Sequence, residues 1–154
     1  MNIQLVKAYI EDCEKIHQMQ IVGFKALLDK YQDFETNPGA ETLEYIKMRF
    51  EYPQIDHYFI NLNNKCIGYI RINRLDDTTC NLSQMFILPS FQGNGYAQQV
   101  ITQVELLNPQ ATKWTLDTIL QEKKLCYLYE KMGYKRTGTV TNIKDGMDLV
   151  YYSK

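Results

Sequence analysis

Ser90-Phe91-Gln92-Gly93-Asn94-Gly95-Tyr96-Ala97-Gln98-Gln99-Val100 follows an apolar run that stops at Pro89 and leads into a segment with helical spacing. Two glycines one residue apart at such a junction let the backbone approach a ligand and take positive φ. The helix start beyond them leaves free N–H groups and carries partial positive charge. Together these make a site for an anion, a phosphate above all. The competing reading is a strand-to-helix turn that needs glycine for its geometry alone. A P-loop requires G-x-x-x-x-G-K-[ST], and no Lys-Ser/Thr pair follows. A Rossmann fingerprint requires a third glycine where Gln98 stands, near the start of a fold, whereas three strand-like runs precede this loop. What remains is the pattern Gln92-x-x-Gly95-x-Ala97.

Working outward, residues 3–8 form a short β-type run. Over 12–31, Cys13, Ile16, Phe24, Leu28 and Tyr31 recur at helical steps and predict one long helix. Asn37-Pro38 predicts an N-cap with proline in the first turn of a second helix, which buries Leu43, Ile46 and Phe50 and ends at Glu51-Tyr52-Pro53. Strands are expected at 57–62 and 66–73 around an Asn63-Asn64-Lys65 turn, and again at 79–88. A helix at 96–107, a strand at 113–119 and a helix at 122–132 capped by Gly133 follow. The chain closes with a hairpin of 134–141 and 147–152 across Lys144-Asp145-Gly146. The order β-αα-βββ-α-β-α-ββ predicts an α+β (α/β mixed-sheet) fold, a single domain over 1–154. Only 79–119 has the strand–helix–strand form of a parallel crossover.

The bulk properties narrow the function. The chain has 154 residues, 45% of them hydrophobic, and a formal charge of -1. No dense basic stripe marks a nucleic-acid binder, and no apolar run approaches the ~20 residues of a membrane span. Met1-Asn2-Ile3-Gln4-Leu5-Val6-Lys7 lacks the apolar core of a signal peptide. Cys13, Cys66, Cys80 and Cys126 lie far apart, and His17 and His57 are the only histidines. No zinc or other metal site is expected from that set. Reduced core thiols in a cytoplasmic protein are the better expectation for the cysteines.

With these residues in place, the sequence resembles the GNAT superfamily of N-acetyltransferases. Gln92-x-x-Gly95-x-Ala97 after Ile87-Leu88-Pro89 is similar to the family's pyrophosphate loop, and Leu128-Tyr129-Glu130-Lys131-Met132-Gly133-Tyr134 is similar to a second family segment. The element order matches as well. The resemblance implies the GNAT acyl-CoA N-acyltransferase fold, with splayed parallel strands at 79–88 and 113–119, and acetyl-CoA as cosubstrate. Its pyrophosphate would sit on Gln92, Gly93, Asn94, Gly95, Tyr96 and Ala97. Backbone groups of Met85, Phe86 and Ile87 would bond the pantetheine amides in the manner of an added strand, with a bulge near Met85 starting the splay.

The chemistry implied is acetyl transfer to an amine. A tyrosine at the place of Tyr129 would protonate the leaving thiolate, since a phenol is neutral at pH 7; the alternative is a tyrosine that merely packs. Asp117, an aspartate in an apolar strand, is the candidate base, through a water; the alternative is a strand-end aspartate that caps backbone. A sheet amide near Ile87 is the expected oxyanion donor. Two positions depart from the family pattern: Glu122 where Asn contacts the cofactor, and Leu125 where Ala is usual. Glu122 has a second reading as a helix-start acid. Cys126 is expected to pack rather than carry an acyl group. The acceptor groove would be shaped by the last hairpin and by Tyr31-Gln32-Asp33-Phe34-Glu35-Thr36-Asn37, whose aromatics and carboxylates suit a cationic amine; the alternative is a solvated loop. Small-molecule or peptide amines both fit, and a homodimer stays open. The alternative function is a silent acyl-CoA-binding sensor of the same fold.

Overall fold

Runs rich in Ile, Tyr, Val and Thr become seven strands, and runs with three- and four-residue apolar spacing become five α-helices, in a computed structural model that describes residues 2–154. In chain order these are β1 (Ile3–Lys7), α1 (Cys13–Gly23), α2 (Lys25–Tyr31), α3 (Leu43–Arg49), β2 (Ile55–Leu62), β3 (Lys65–Arg74), β4 (Thr79–Ile87), α4 (Tyr96–Leu107), β5 (Lys113–Ile119), α5 (Lys123–Lys131), β6 (Lys135–Lys144) and β7 (Met147–Ser153). The strands form one mixed sheet in the order β1-β2-β3-β4-β5-β7-β6. Only β4 and β5 run parallel, as a crossover through α4 requires.

Strand alternation assigns the two faces of the sheet. On one face α1 and α3 bury Cys13, Ile16, Met19 and Ile46 against Phe59, Tyr69 and Phe86. On the other, Val100, Ile101 and Val104 of α4 and Cys126 and Tyr129 of α5 pack with Ile70, Ile72, Leu82, Leu116 and Tyr152. Burying an Ile or Val side chain fully is worth about 2 kcal/mol, so each face has ample driving force to hold its helices.

The feature that positions the site is a fork between β4 and β5. They pair only at Thr79↔Lys113, Cys80↔Trp114 and Asn81↔Thr115. Beyond Asn81 the strands part, and β5 continues against β7 instead. The Asn81 side chain closes the base of the fork, donating to the Thr115 carbonyl at 3.2 Å and to its hydroxyl at 2.9 Å. The β3–β4 register slips between Arg71↔Gln84 and Ile72↔Leu82, which makes Ser83 the extra residue of a β-bulge. A one-residue slip reverses the faces. Cys80 and Leu82 face α4 and α5, whereas Gln84 and Phe86 turn towards α1.

Three local expectations change. The helix expected over 12–31 breaks at Phe24, which sits between α1 and α2 with φ -107° and ψ 5°. Gly23 lies so close to Phe86 that a Cβ there would come within 2.4 Å of the ring. The Phe24 ring meets Phe86 edge-on at 5.2 Å, so tertiary packing overrides helical continuity. Asn37 caps only the short turn Pro38–Ala40, while Thr42 is the N-cap of α3 and accepts from the Tyr45 N–H. The bulge expected near Met85 falls at Ser83, where the pairing with β3 slips.

Candidate active site

The fork opens into two cavities that meet. The first, 380 Å³, is lined by the 91–98 loop and helix start, by Met85, Phe86 and Ile87 of β4, and by Lys124, Leu125, Tyr127, Leu128 and Tyr129 of α5. The second, 220 Å³, lies on the far side of Tyr129 and is lined by Asp33–Pro38 residues, by Ser83 and Gln84, by Asp117 and by Met147 and Leu149. Phe24, Leu27, Met85, Leu125 and Tyr129 border both.

The loop in the first cavity is built for backbone contact. Gly93 and Gly95 have φ of 79° and 77°, and a Cβ on either would meet nothing within 4 Å. Left-handed backbone, not crowding by protein, therefore demands glycine here. The polar side chains of the loop are spent on the loop itself. Gln92 Nε2 donates to the Ile87 carbonyl at 2.8 Å. Asn94 Nδ2 donates to the Phe91 and Gln92 carbonyls at 3.1 and 3.2 Å. The α4 N-terminus that follows leaves its first-turn N–H groups without intrahelical partners, a geometry that suits an anion. Lys124 adds a flexible cation on the opposite wall.

The strand side of the fork corrects one expected contact. The Leu88 N–H donates to the Ile67 carbonyl of the neighbouring chain segment at 2.7 Å. Antiparallel pairs alternate, so Phe86, two residues earlier, also turns its backbone to β3. Its carbonyl lies over Gly68, 2.2 Å from where a Cβ would stand. Phe86 lines the cavity with its ring, and its amide is not presented to the fork. Met85 and Ile87 present theirs, although the Ile87 carbonyl is already taken by Gln92.

Tyr129 stands where the cavities join, 6% exposed. Its ring packs near those of Tyr134 and Tyr152, with centroids at 6.1 and 6.5 Å. Burial first, and the nearby Asp117 carboxylate second, push its phenol well above the usual value, so it is fully protonated at neutral pH. Asp117 projects from β5 into the second cavity and is open to solvent there. The protein around it nonetheless raises its carboxyl above the ordinary aspartate value through lost hydration. A raised carboxylate is a stronger base.

Two departures from the family pattern acquire structural roles. Glu122 does not line the first cavity. Its carboxylate accepts from Lys30 Nζ at 2.7 Å and from the Tyr31 hydroxyl at 2.5 Å, tying α2 to the start of α5. Burial opposes ionisation there, but the bonds from Lys30 and Tyr31 outweigh it and hold the carboxyl below the usual glutamate value. Leu125 becomes part of the wall common to both cavities. The Cys126 thiol is buried at 3.7 Å from the Ile119 and Leu120 carbonyls, outside both cavities.

The segment 31–37 is only partly available to an acceptor. Asp33 is 5% exposed and its carboxylate braces the loop by accepting from the Glu35 and Thr36 N–H groups and the Thr36 hydroxyl. Tyr31 is committed to Glu122. The last hairpin does reach the second cavity, through Met147 and Leu149. Among the described residues no group of three or more His, Cys, Asp or Glu is placed to hold a metal ion. No helix among them is long and apolar enough to cross a membrane. Sequence inspection missed Phe24, Leu27 and Lys124, whose contribution depends on how α1, α2 and α5 converge.

A parallel strand pair forced open beside a glycine-capped helix start is the framework of an acyltransferase. Residues 24–134 match the Acetyltransferase (GNAT) family, and the chain belongs to that family. No curated protein sequence matches it significantly. Solved structures share the fold along its whole length. An acetyltransferase from Thermus thermophilus superposes with a TM-score of 0.77 at 14% identity, covering 100% of this chain and 97% of that one. The spermidine N-acetyltransferase of Vibrio cholerae, solved with CoA and spermine, gives a TM-score of 0.77 at 17% identity over 99% and 94% of the two chains. The Salmonella typhimurium acetyltransferase that modifies the N-terminal serine of ribosomal protein L7/L12 gives 0.76 at 14% over 100% and 95%.

Proposed function

We propose that the protein, acting as one domain over 1–154, transfers the acetyl group of acetyl-CoA to a primary amine by direct attack. The observation that carries this is the meeting of two differently built cavities at one buried, protonated tyrosine. The first suits the donor. Its glycine turn and helix start suit the pyrophosphate, and the outward amides of Met85 and Ile87 suit the pantetheine arm. The second suits the acceptor, because Asp117 offers a carboxylate to an amine.

In this reading Asp117 takes a proton from the ammonium through a water, and the free amine attacks the thioester carbonyl carbon. The Ile87 N–H stabilises the developing oxyanion. The C–S bond then breaks and Tyr129 gives its proton to the departing sulfur, while the surplus proton on the attacking nitrogen leaves through the intervening water and the phenolate is reprotonated. A phenol raised by burial remains an adequate acid here, because the same desolvation raises the proton affinity of the thiolate. The four unpaired cysteines support a reducing, cytoplasmic setting.

The test is an amine library with acetyl-CoA, followed by free thiol release, beside calorimetric titration of CoA. The expected result is CoA binding with thiol release from at least one amine. CoA binding without thiol release from any amine would leave the silent sensor instead. Absence of CoA binding would remove both.

A further inference from the structure

A third cavity, 480 Å³, opens beside the acceptor cavity and shares Thr36, Asn37, Pro38 and Ser83 with it. Phe34 and Tyr45 stand at its rim, 61% and 48% exposed. Its floor holds two arginines, Arg49 and Arg71. Arg49 is neutralised. It makes a two-pronged ion pair with Glu41, Nη1 to Oε1 at 2.7 Å and Nη2 to Oε2, and lies over the Tyr45 ring at 4.5 Å.

Arg71 is not neutralised. It projects from the middle of β3, and no carboxylate pairs with it among the described residues. Only Nη1 is engaged, donating to Gln84 Oε1 at 3.1 Å. That glutamine is fixed by a chain of bonds: Gln84 Nε2 donates to Gln20 Oε1 at 3.1 Å, and Gln20 Nε2 donates to Glu41 Oε1 at 3.0 Å and to the Pro38 carbonyl at 2.8 Å. The Ser83 bulge is what turns Gln84 onto this face. Burial first, and then the like charge of Arg49, which Glu41 partly offsets, push the Arg71 guanidinium below its ordinary value, yet arginine stays charged. A largely desolvated cation with most of its planar donor fork free is costly unless an anion completes it. Glu35, exposed at the rim, is the other carboxylate facing the cavity.

We infer that the third cavity takes an oxyanion carried by the acceptor itself, so that the substrate is a primary amine bearing a carboxylate or phosphate. The amine sits by Asp117, the chain passes Ser83, and the anion meets the free edge of Arg71. This rests on the amine acetylation proposed above and narrows its acceptor. It sets the protein apart from an enzyme for polycations, whose charges Arg71 repels.

The test uses matched acceptors: 6-aminohexanoate against 6-aminohexanamide, glycylglycine against its amide, and O-phosphoethanolamine against ethanolamine, with spermidine alongside. The anionic member of at least one pair is expected to show a kcat/KM about tenfold or more above its neutral partner, mainly through KM. The pair that responds separates carboxylate from phosphate. Arg71→Gln should abolish the preference while the calorimetric affinity for CoA stays unchanged. Should that variant not fold, hexanoate with the native protein serves instead: it should inhibit competitively against the acceptor and not against acetyl-CoA. Glu35→Gln, at the exposed rim, should widen the preference by about twofold. Turnover of neutral amines or spermidine as fast as the anionic ones would overturn this inference and leave amine acetylation standing. So would an unchanged preference in Arg71→Gln, or hexanoate without effect. No turnover with any amine, despite CoA binding, would end both.

Discussion

The proposed donor side and the proposed acceptor side of the fork are made of different materials. On the donor side the polar contacts on offer are mostly backbone: two left-handed glycines, a helix start, and the outward amides of Met85 and Ile87, with Lys124 on the opposite wall. On the acceptor side they are side chains drawn from distant segments, Asp117 on β5, Ser83 and Gln84 on β4, and Met147 and Leu149 on β7. A backbone site fixes one ligand and resists sequence drift, because most side chains can change around it. A side-chain site changes its ligand with each substitution. One fold can therefore keep its donor and vary its acceptor.

Tyr129 belongs to both sides, and removing its hydroxyl should give the largest effect. Tyr129→Phe is expected to lower kcat by about 100-fold or more while the calorimetric Kd for CoA changes by less than about threefold. An unchanged kcat would remove Tyr129 as proton donor. A large loss of CoA affinity instead would mean that the ring, not the proton, is what the junction needs.

Next comes a direct challenge to the backbone character of the donor side. Gly95→Val forces a β-branched residue into φ 77° at the cap of α4. CoA affinity should fall by about tenfold or more, since both the turn and the anion-facing amides are displaced. Met85→Leu, which alters only a side chain of the same strand, should leave CoA affinity within about twofold. Equal losses from both would erase the distinction between the two sides.

The same distinction explains what could be seen in the sequence. The loop, α4 at Tyr96–Leu107 and β5 at Lys113–Ile119 stand where expected, because glycine, proline and apolar spacing act within a few residues. The Asn63-Asn64 turn was equally visible, and both residues take positive φ, 50° and 68°. The break at Phe24 was not visible, because Phe86 causes it from a distant strand. Thr42 was masked as an N-cap by the more prominent Asn37-Pro38. The Ser83 bulge leaves no compositional mark, and it decides that Gln84 faces Gln20. Arg71 did leave a mark, a lone charge within the apolar run of β3, but its free donors appear only once Gln84 and Arg49 are placed around it.

A third prediction concerns pH on the acceptor side. The protein around Asp117 strips part of its hydration and raises its carboxyl, so it loses its proton at a pH above the ordinary carboxylate value of about 3.9. If it is the base, kcat/KM for the acceptor falls as pH drops through that raised pKa, and the limb lies above the position of an ordinary aspartate. Asp117→Asn should lower kcat/KM by about tenfold or more and flatten this limb. Loss of rate with the limb intact would reduce Asp117 to an acceptor-positioning group.

The smallest effect is expected where α2 and α5 are tied across the two sides. Glu122 accepts from Lys30 and Tyr31, and those bonds hold its carboxyl below the unfolded value of about 4.3. A depressed carboxyl contributes stability that is fully present above the unfolded pKa and is lost as pH falls through the folded one. Glu122→Gln should therefore lower Tm by about 2 °C at pH 7, and the difference from the native protein should shrink below about pH 4. Lys30 is 57% exposed, so salt should shrink it as well. CoA affinity should stay within about twofold, because Glu122 faces α2 and not the first cavity. A larger loss of CoA affinity would make Glu122 a donor-side residue after all, and the donor side would then depend on side chains more than on backbone.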